Sequence, residues 1–233
     1  MRDKFGDIPI IIEEGEPASV FWSRRKKLLG RLKVASMQAA RIPMKLTKRG
    51  TQARIAELIK DHALQPDPPA DAQIINVPSV NSEAARDAIR QLAPKAIFVV
   101  STRMIGAKTL SSIDAPFINY HSGINPAYRG MYGGYFALAN GEPQHFGATV
   151  HLVDQGVDTG GILYQSHVKV SAKDNFHTYI WVMAAGSREI CIAAIDDALQ
   201  GQLQPHKVDL PSHQYFAPTL GGYLWTGLRR GIW

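Results

Sequence analysis

Two short segments of the chain carry the side chains best suited to chemistry. Asn119 and His121 lie two positions apart at the end of the predicted strand FINYH, so both side chains point to one face. A second strand and the loop after it supply His151 and Asp158. An amide donor, an imidazole and a carboxylate are the groups that stabilise a developing oxyanion and relay protons.

Each of these residues also has an ordinary structural explanation. An asparagine at a strand end often caps a backbone group, and a lone histidine is more often a structural residue than a catalyst. Asp154 and Asp158 could each organise a turn, because aspartate before glycine is common turn chemistry. Their occurrence together, after a buried strand and beside a loop rich in polar residues, favours a site.

Two motifs resemble one family of enzymes. FINYHSGINPAYRG resembles the active-site segment of the formyltransferase family, commonly N-x-H-x-S-x-x-P-x-Y-x-G. ATVHLVDQGVDTGGILYQ resembles the same family's second segment, a strand followed by a loop that bears the essential aspartate. The resemblance covers about residues 72–200 and implies a transfer of formyl groups to amines. The site residues it implies are Asn119, His121 and Asp158 as catalytic groups, with His151 and Ser122 in support.

The resemblance also implies 10-formyltetrahydrofolate as the co-substrate. VVSTRMIGAKTL (99–110) is similar to the family's folate-contacting loop, and the loop after the second motif strand is expected to complete the pocket. The residues expected to contact the folate are Arg103, Met104, Ile105, Val153, Asp154 and Gln155. No Cys/His cluster suggests a metal site, so none is expected.

The expected chemistry assigns one task to each catalytic group. Attack of a neutral amine on the formyl carbonyl puts negative charge on oxygen, to which Asn119 and a protonated His121 would donate hydrogen bonds. Asp158 would relay the amine proton through a water and hold His121 in its cationic form.

The first motif departs from the family pattern in the loop that normally contacts the acceptor. Ser122 follows His121 directly, and Ile124 and Asn125 stand where leucines are usual. The family's opening strand and Gly-rich loop also have no counterpart before the first predicted strand, which indicates a truncated N-terminal part.

The elements that must position these residues alternate along the chain. Predicted strands cover 8–12, 72–77, 96–100, 117–121, 147–154 and 162–170, and predicted helices cover 18–44, 50–62, 82–92 and 174–200. This alternation predicts an α/β, Rossmann-like, mostly parallel sheet with helices on both faces, of the formyltransferase type and lacking the usual first strand and helix. Residues 1–200 are assigned to the catalytic domain and 201–233 to an irregular aromatic and basic tail.

Bulk composition fits an ordinary globular protein. Of the 233 residues, 45% are hydrophobic and 20% charged, which excludes a wholly disordered chain. The single cysteine, Cys191, lies in an apolar helical pattern and is expected to be a buried thiol, which favours the reducing cytoplasm. No apolar run reaches the length of a transmembrane helix.

The net charge of +6 leaves the partner open. A solvated helix face is the simplest explanation, and an anionic acceptor is another. An amino sugar or a phosphoribosyl-type amine is favoured as a small-molecule acceptor. A tRNA acceptor is disfavoured, because the tRNA-specific members carry a C-terminal barrel for which the sequence after the last predicted helix is too short. The sequence is also compatible with a homodimer.

Two other classes of protein compete with this assignment. A non-catalytic or degenerate formyltransferase-fold protein could bind an anionic surface or membrane through the basic helix 18–46 and the aromatic tail, with Trp225, Trp233, Arg229 and Arg230 at the interface. Alternatively, these aromatic residues dock on the domain. A nucleotide-dependent oxidoreductase is disfavoured because no G-x-G-x-x-G follows a predicted strand.

Overall fold

The strand that carries Asn119 and His121 lies inside a four-stranded sheet. The computed structural model describes residues 1–48 and 50–233, and the strands within them are β1 (Ile10–Glu13), β2 (Ile74–Val77), β3 (Ile97–Val100), β4 (Phe117–His121), β5 (Arg129–Gly130), β6 (Gly147–Leu152), β7 (Ile162–His167) and β8 (Gln214–Tyr215). The central sheet has the order β3–β4–β6–β7, while β1–β2 and β5–β8 form separate pairs.

Both parallel and antiparallel pairings occur. β1 with β2, β3 with β4, and β5 with β8 are parallel, whereas β4 with β6 and β6 with β7 are antiparallel. The predicted α/β class is therefore confirmed, with an antiparallel extension in which β6 and β7 pair as neighbours. The expected absence of an opening strand and helix stays a prediction.

Helices connect and cover the strands. Their bounds are α1 (Arg2–Phe5), α2 (Ala18–Leu29), α3 (Arg31–Leu46), α4 (Thr51–Asp61), α5 (Glu83–Leu92), α6 (Ala107–Leu110), α7 (Gly133–Ala139), α8 (Tyr179–Gly186), α9 (Arg188–Gln200) and α10 (Leu220–Arg230). α5 begins where its sequence predicts, because the Ser82 hydroxyl accepts a hydrogen bond from the N–H of Ala85 at 3.1 Å.

Alternation along β4 gives its two faces different neighbours. Ile118 packs with Cys191 and Ala194 of α9 on one face. Phe117 packs with Ile89 of α5 on the other. Asn119 and His121 share the face of Phe117, because side chains two positions apart point the same way. Helices thus cover both faces of the sheet, as predicted.

Two predicted long helices are each divided. The helix expected over 18–44 breaks at Gly30, whose φ of 82° lies in the left-handed region and separates α2 from α3. The helix expected over 174–200 divides at Ser187, which separates α8 from α9. The Ser187 hydroxyl instead forms a 2.6 Å hydrogen bond with that of Ser166 on β7.

The prediction of an irregular C-terminal tail is wrong. The tail forms β8 and α10, and Tyr223 of α10 is fully buried in the largest apolar cluster beside Ala40 and Tyr135. Trp233 belongs to the same cluster, so it docks on the domain, whereas Trp225 remains 53% exposed. The domain boundary placed at residue 200 stays a prediction.

The lone cysteine is buried, as predicted. Cys191 is free and packs in the cluster beneath β4. Burial raises the pKa of its thiol to about 12, because the thiolate would lose its hydration.

Candidate active site

Three elements bring the predicted catalytic side chains together. Asn119 and His121 lie on β4, and His151 stands opposite Asn119 in the register of β4 with β6. Asp158 belongs to the loop that connects β6 to β7. β4 holds Asn119 and His121 on one face, and the loop between β6 and β7 places the Asp158 carboxylate over them.

Asp158 lies between the other three groups. Its Oδ2 is 3.5 Å from His121 Nδ1, and its Oδ1 is 3.5 Å from both Asn119 Nδ2 and His151 Nε2. The side chains of His121 and Asp158 are 6% and 14% exposed. The amide, imidazole and carboxylate that the sequence analysis selected therefore share one largely buried site.

The backbone around Asp158 is specialised for this position. Asp158 has a φ of 51°, in the left-handed region that few residues other than glycine, asparagine and aspartate adopt at low cost. Its Oδ2 accepts a hydrogen bond from the N–H of Gly130 at 2.8 Å. The Arg129 guanidinium donates to the carbonyl of Val157 at 2.8 Å, which ties the loop to the segment after β4.

Hydrogen bonds also orient both imidazole rings. His121 Nε2 lies 2.7 Å from the carbonyl oxygen of Tyr128, so this nitrogen must carry the hydrogen, and Nδ1 is left facing Asp158. His151 Nδ1 lies 2.7 Å from the carbonyl oxygen of Leu152, so its Nε2 accepts a hydrogen bond from Asn119 Nδ2 at 3.1 Å. His151 thereby occupies one hydrogen of the Asn119 amide, and the other is directed at Asp158 Oδ1, 3.5 Å away.

Burial dominates the protonation of His121. It lowers the pKa of the ring, because the cationic form would lose its hydration, while the Asp158 carboxylate and the Tyr128 carbonyl act in the opposite sense. The resting ring is therefore neutral at pH 7, which contradicts the expectation that Asp158 holds it cationic. Its Nδ1 is a proton acceptor.

Asp158 itself is ionised. Burial would raise the pKa of this carboxyl, but the contacts with the His151 and His121 rings and the hydrogen bond from the Gly130 N–H together outweigh it and lower the pKa below its ordinary value. A carboxylate within reach of a neutral imidazole stabilises the imidazolium that forms when the ring accepts a proton.

The first predicted folate segment follows β3. The Arg103 side chain donates to the backbone carbonyls of Pro78 and Glu14, and its N–H donates to Glu13 Oε1 at 2.7 Å. Met104 is 56% exposed, and Ile105 is buried. Arg103 is thus anchored to the ends of β1 and β2, and Met104 presents the accessible side chain of this segment.

The second predicted folate segment follows β6. Val153 packs in the same apolar cluster as Ile105, so the two segments come together. Asp154 Oδ1 accepts from the N–H of Gly156 at 2.9 Å and from the Thr159 hydroxyl at 2.7 Å, which is the turn-forming role considered for it. Gln155 is exposed. The assignment of these six residues to folate binding stays a prediction.

Backbone groups near His121 escaped the sequence analysis. The Tyr128 carbonyl and the Gly130 N–H orient His121 and Asp158, and the carbonyl of Ser122 accepts the N–H of Gly134 at 3.3 Å. A Cβ on Gly123 would come within 2.4 Å of the Tyr128 carbonyl oxygen, so only glycine fits. The glycines of NPAYRGMYGG were the available signal, but backbone contacts have no side-chain signature.

Asn125 is an exception to the rule that buried polar groups are satisfied. The residue is 2% exposed, and within residues 1–48 and 50–233 neither its amide nitrogen nor its amide oxygen has a hydrogen-bond partner. Its backbone is satisfied: the N–H donates to the Thr149 hydroxyl at 3.0 Å, and the carbonyl accepts from Gln165 Nε2 at 2.8 Å.

We therefore expect Asn125→Leu to stabilise the protein by about 1 kcal/mol, because it removes two buried unsatisfied groups. Denaturant unfolding measures the change. Asn125→Ala is the control, since it removes the same polar atoms without adding volume. A lower free energy of unfolding in both variants would contradict the explanation.

A cavity opens beside the segment that follows Gly130, the residue whose N–H binds Asp158. Its volume is about 500 Å³, and Met131 and Tyr132, which follow Gly130, form one wall. The lining residues that carry charge or an aromatic ring are Glu16, Phe21, Trp22, Arg41, Lys45, Lys48, Tyr132, Phe176 and His177. Cations and aromatic rings therefore dominate its surface.

Tyr132 is held in an unusual conformation in this wall. Its φ of 59° lies in the left-handed region, and its ring packs on Phe176 at 4.8 Å between centroids. Backbone of this kind costs about 1–3 kcal/mol and is concentrated at functional sites.

Outside position 49, no three His, Cys, Asp or Glu side chains are grouped so as to hold a metal ion. Over the same residues, each helix is too short or too polar to cross a bilayer.

Comparison with known proteins identifies the family. A model described as formyl transferase matches residues 22–195. The methionyl-tRNA formyltransferase of Pelobacter propionicus is 29% identical over 170 residues, 69% of this chain and 52% of the relative. That of Halothermothrix orenii is 28% identical over 149 residues, 61% and 47% of the two chains. The chain spans about half the length of these curated relatives.

Solved structures share the fold. A 4-N formyltransferase from Francisella tularensis matches with a TM-score of 0.52 and 22% identity, over 75% of this chain and 64% of that one. Glycinamide ribonucleotide transformylase 1 from Symbiobacterium toebii matches with a TM-score of 0.50 and 21% identity, over 60% and 77%.

Proposed function

The chain belongs to the formyl transferase family, and we propose that it transfers a formyl group from 10-formyltetrahydrofolate to the amine of a small molecule. The observation that carries this proposal is the meeting of Asn119, His121 and Asp158 in one buried site. These three groups supply an oxyanion donor, a proton acceptor and a negative charge that stabilises the protonated ring.

The residues act in sequence as the amine nitrogen bonds to the formyl carbon. Asn119 Nδ2 donates to the carbonyl oxygen as charge develops there, in place of its 3.5 Å hydrogen bond to Asp158. His121 Nδ1 accepts the proton that the amine loses, and Asp158 stabilises the resulting imidazolium. His121 then returns the proton to the folate nitrogen as the bond from that nitrogen to the formyl carbon breaks. Protons and electron pairs balance without any other reagent.

The segments after β3 and β6 suit the folate. Ile105 and Val153 join them into one wall, while Met104 and Gln155 remain accessible on its surface. A flat pterin can insert between such segments and bond to their backbone groups. Family membership supports 10-formyltetrahydrofolate as the group that supplies the formyl carbon.

The cavity beside Tyr132 favours one class of acceptor. Arg41, Lys45 and Lys48 suit phosphate, and Trp22 with its aromatic neighbours suits a flat ring. A nucleotide-linked amino sugar offers both features, whereas a phosphoribosyl-type amine offers only the phosphate. We infer that the acceptor is an amino sugar carried on a nucleotide.

The remaining assignments follow from the same proposal. A small acceptor fits the cavity of about 500 Å³, whereas a tRNA would need a far larger surface. A reducing cytoplasm suits the free Cys191. A homodimer remains compatible with the site, because each group in it comes from one chain.

The test is a formylation assay on the full chain with 10-formyltetrahydrofolate. The acceptors to compare are a nucleotide-linked amino sugar, a phosphoribosyl-type amine and an aminoacylated tRNA, with formylated product measured by mass spectrometry. We expect product from the nucleotide-linked sugar. We also expect Arg41→Ala to raise its KM by about tenfold, the loss of one phosphate contact, with little change in kcat.

Lys60→Ala is the matched control, because Lys60 is an exposed cation on α4 outside the cavity. Formylation of the tRNA alone would overturn the acceptor assignment. Release of tetrahydrofolate with no acceptor formylated would overturn the proposed function.

A further inference from the structure

Helix α3 is apolar on two opposite faces. Val34, Met37, Ala40 and Met44 are buried in the domain. Leu32, Ile42 and Leu46 lie on the other side at 3.6 residues per turn, and they are 88%, 69% and 71% exposed. A helix at a protein surface ordinarily has one apolar face and one polar face, so the second apolar face is anomalous.

The exposed apolar surface continues around the corner between α2 and α3. Leu28, the penultimate residue of α2, is 65% exposed and precedes the corner at Gly30, and Leu32 follows it. We call Leu28, Leu32, Ile42 and Leu46 the outer face of α3. From Leu32 to Leu46 it extends about 21 Å at 1.5 Å per residue. Exposed apolar surfaces of this kind mark interaction sites.

Positive charge surrounds this outer face. Between Pro17 and Gly50 the sequence contains ten Lys and Arg residues and no Asp or Glu. Lys26, Lys27, Arg31 and Lys33 are exposed beside the corner. Among the described residues, none of these four forms an ion pair with a carboxylate. The occupant of the outer face must therefore be anionic as well as apolar.

The positive charge and the apolar side chains of the outer face together distinguish between the partners that could bind it. A second copy of this chain, paired through the same face about a two-fold axis, would set these cations against one another. A nucleic acid would satisfy the cations but leave four large apolar side chains without a role. An anionic bilayer satisfies both, because apolar side chains enter the acyl boundary while Lys and Arg contact lipid phosphates.

We propose that the outer face of α3 docks the protein on anionic lipid surfaces. The helix lies in the plane of the interface and does not cross the bilayer. Docking by α3 does not depend on the formyl-transfer chemistry, because the outer face contains none of the site residues.

Vesicle sedimentation of the full chain tests the proposal. We expect the protein to pellet with vesicles of phosphatidylglycerol and phosphatidylcholine in equal parts, and to remain in solution with phosphatidylcholine alone. Added salt should weaken the association, because it screens the cations. The triple variant Leu32→Ser, Ile42→Ser, Leu46→Ser keeps every charge and should weaken binding by about tenfold or more, since it removes the apolar contribution.

Leu199→Ser is the matched control, because Leu199 is an exposed leucine on α9 and its replacement should leave binding unchanged. Unchanged melting temperatures show that each variant folds. Equal binding of the triple variant and the wild type would overturn the proposal. So would light scattering that shows a dimer in the wild type and a monomer in the triple variant, since a second copy would then occupy the face.

Discussion

Replacement of Asp158 with asparagine is expected to lower kcat for formyl transfer by about 10²–10⁴-fold while the protein stays folded. The carboxylate lies 3.5 Å from His121 Nδ1 and stabilises the charge that appears on the ring when it accepts the amine proton. An amide of the same shape offers no such charge. The loss therefore falls on the chemical step and not on acceptor binding.

Asparagine is the informative substitution at this position. The left-handed φ of 51° is one that asparagine adopts readily, and its amide oxygen can still accept the Gly130 N–H. Rapid-quench kinetics measure the chemical step, and the melting temperature reports folding. Asp114→Asn, an exposed loop carboxylate, is the control. A kcat within threefold of the wild-type value would refute the catalytic role of Asp158.

The sequence was most informative where a side chain's position depends on local geometry. Alternation along FINYH places Asn119 and His121 on one face with no knowledge of the rest of the fold, and the structure agrees. The approach of Asp158 was different, because it depends on a loop whose left-handed residue and bond to Gly130 leave no sequence pattern. Only the resemblance to a family predicted that meeting.

Tertiary packing explains the errors in secondary structure. α10 contains Gly221, Gly222 and Gly227, which have low helix propensity, so the sequence favoured an irregular tail. Gly227 is needed because the Trp233 ring packs where its side chain would be. Burial of Tyr223 then stabilises the helix. Local propensity could not reveal either contact.

The protonation of His121 was beyond sequence reasoning for a related reason. A nearby carboxylate favours the cationic ring, and that was the only influence visible along the chain. The opposing influence, burial of the ring, comes from the whole domain. Its effect reverses the assignment of His121 from hydrogen-bond donor to proton acceptor.

Replacement of His121 is the second change expected to abolish most activity, and the pH profile of the wild type identifies its role. We expect His121→Ala to lower kcat by about 10²–10⁴-fold. His121→Gln keeps a donor toward the Tyr128 carbonyl and should fold better while remaining equally inactive, because neither side chain can accept the amine proton. His62→Gln, at an exposed histidine after α4, is the control.

The direction in which kcat/KM changes with pH distinguishes a neutral His121 that accepts a proton from a cationic His121 that donates a hydrogen bond. If neutral His121 accepts a proton, kcat/KM is constant at neutral pH and falls on acidification, because protonation removes the acceptor. Burial lowers the pKa of the ring, so the midpoint of that fall should lie below the ordinary value of about 6.5. If the cationic ring were the donor first expected, kcat/KM would instead rise as the pH falls through the same range. A rising limb, lost in His121→Gln, would refute the assignment of His121 as a base, because only a group that must be protonated to act gains activity in acid.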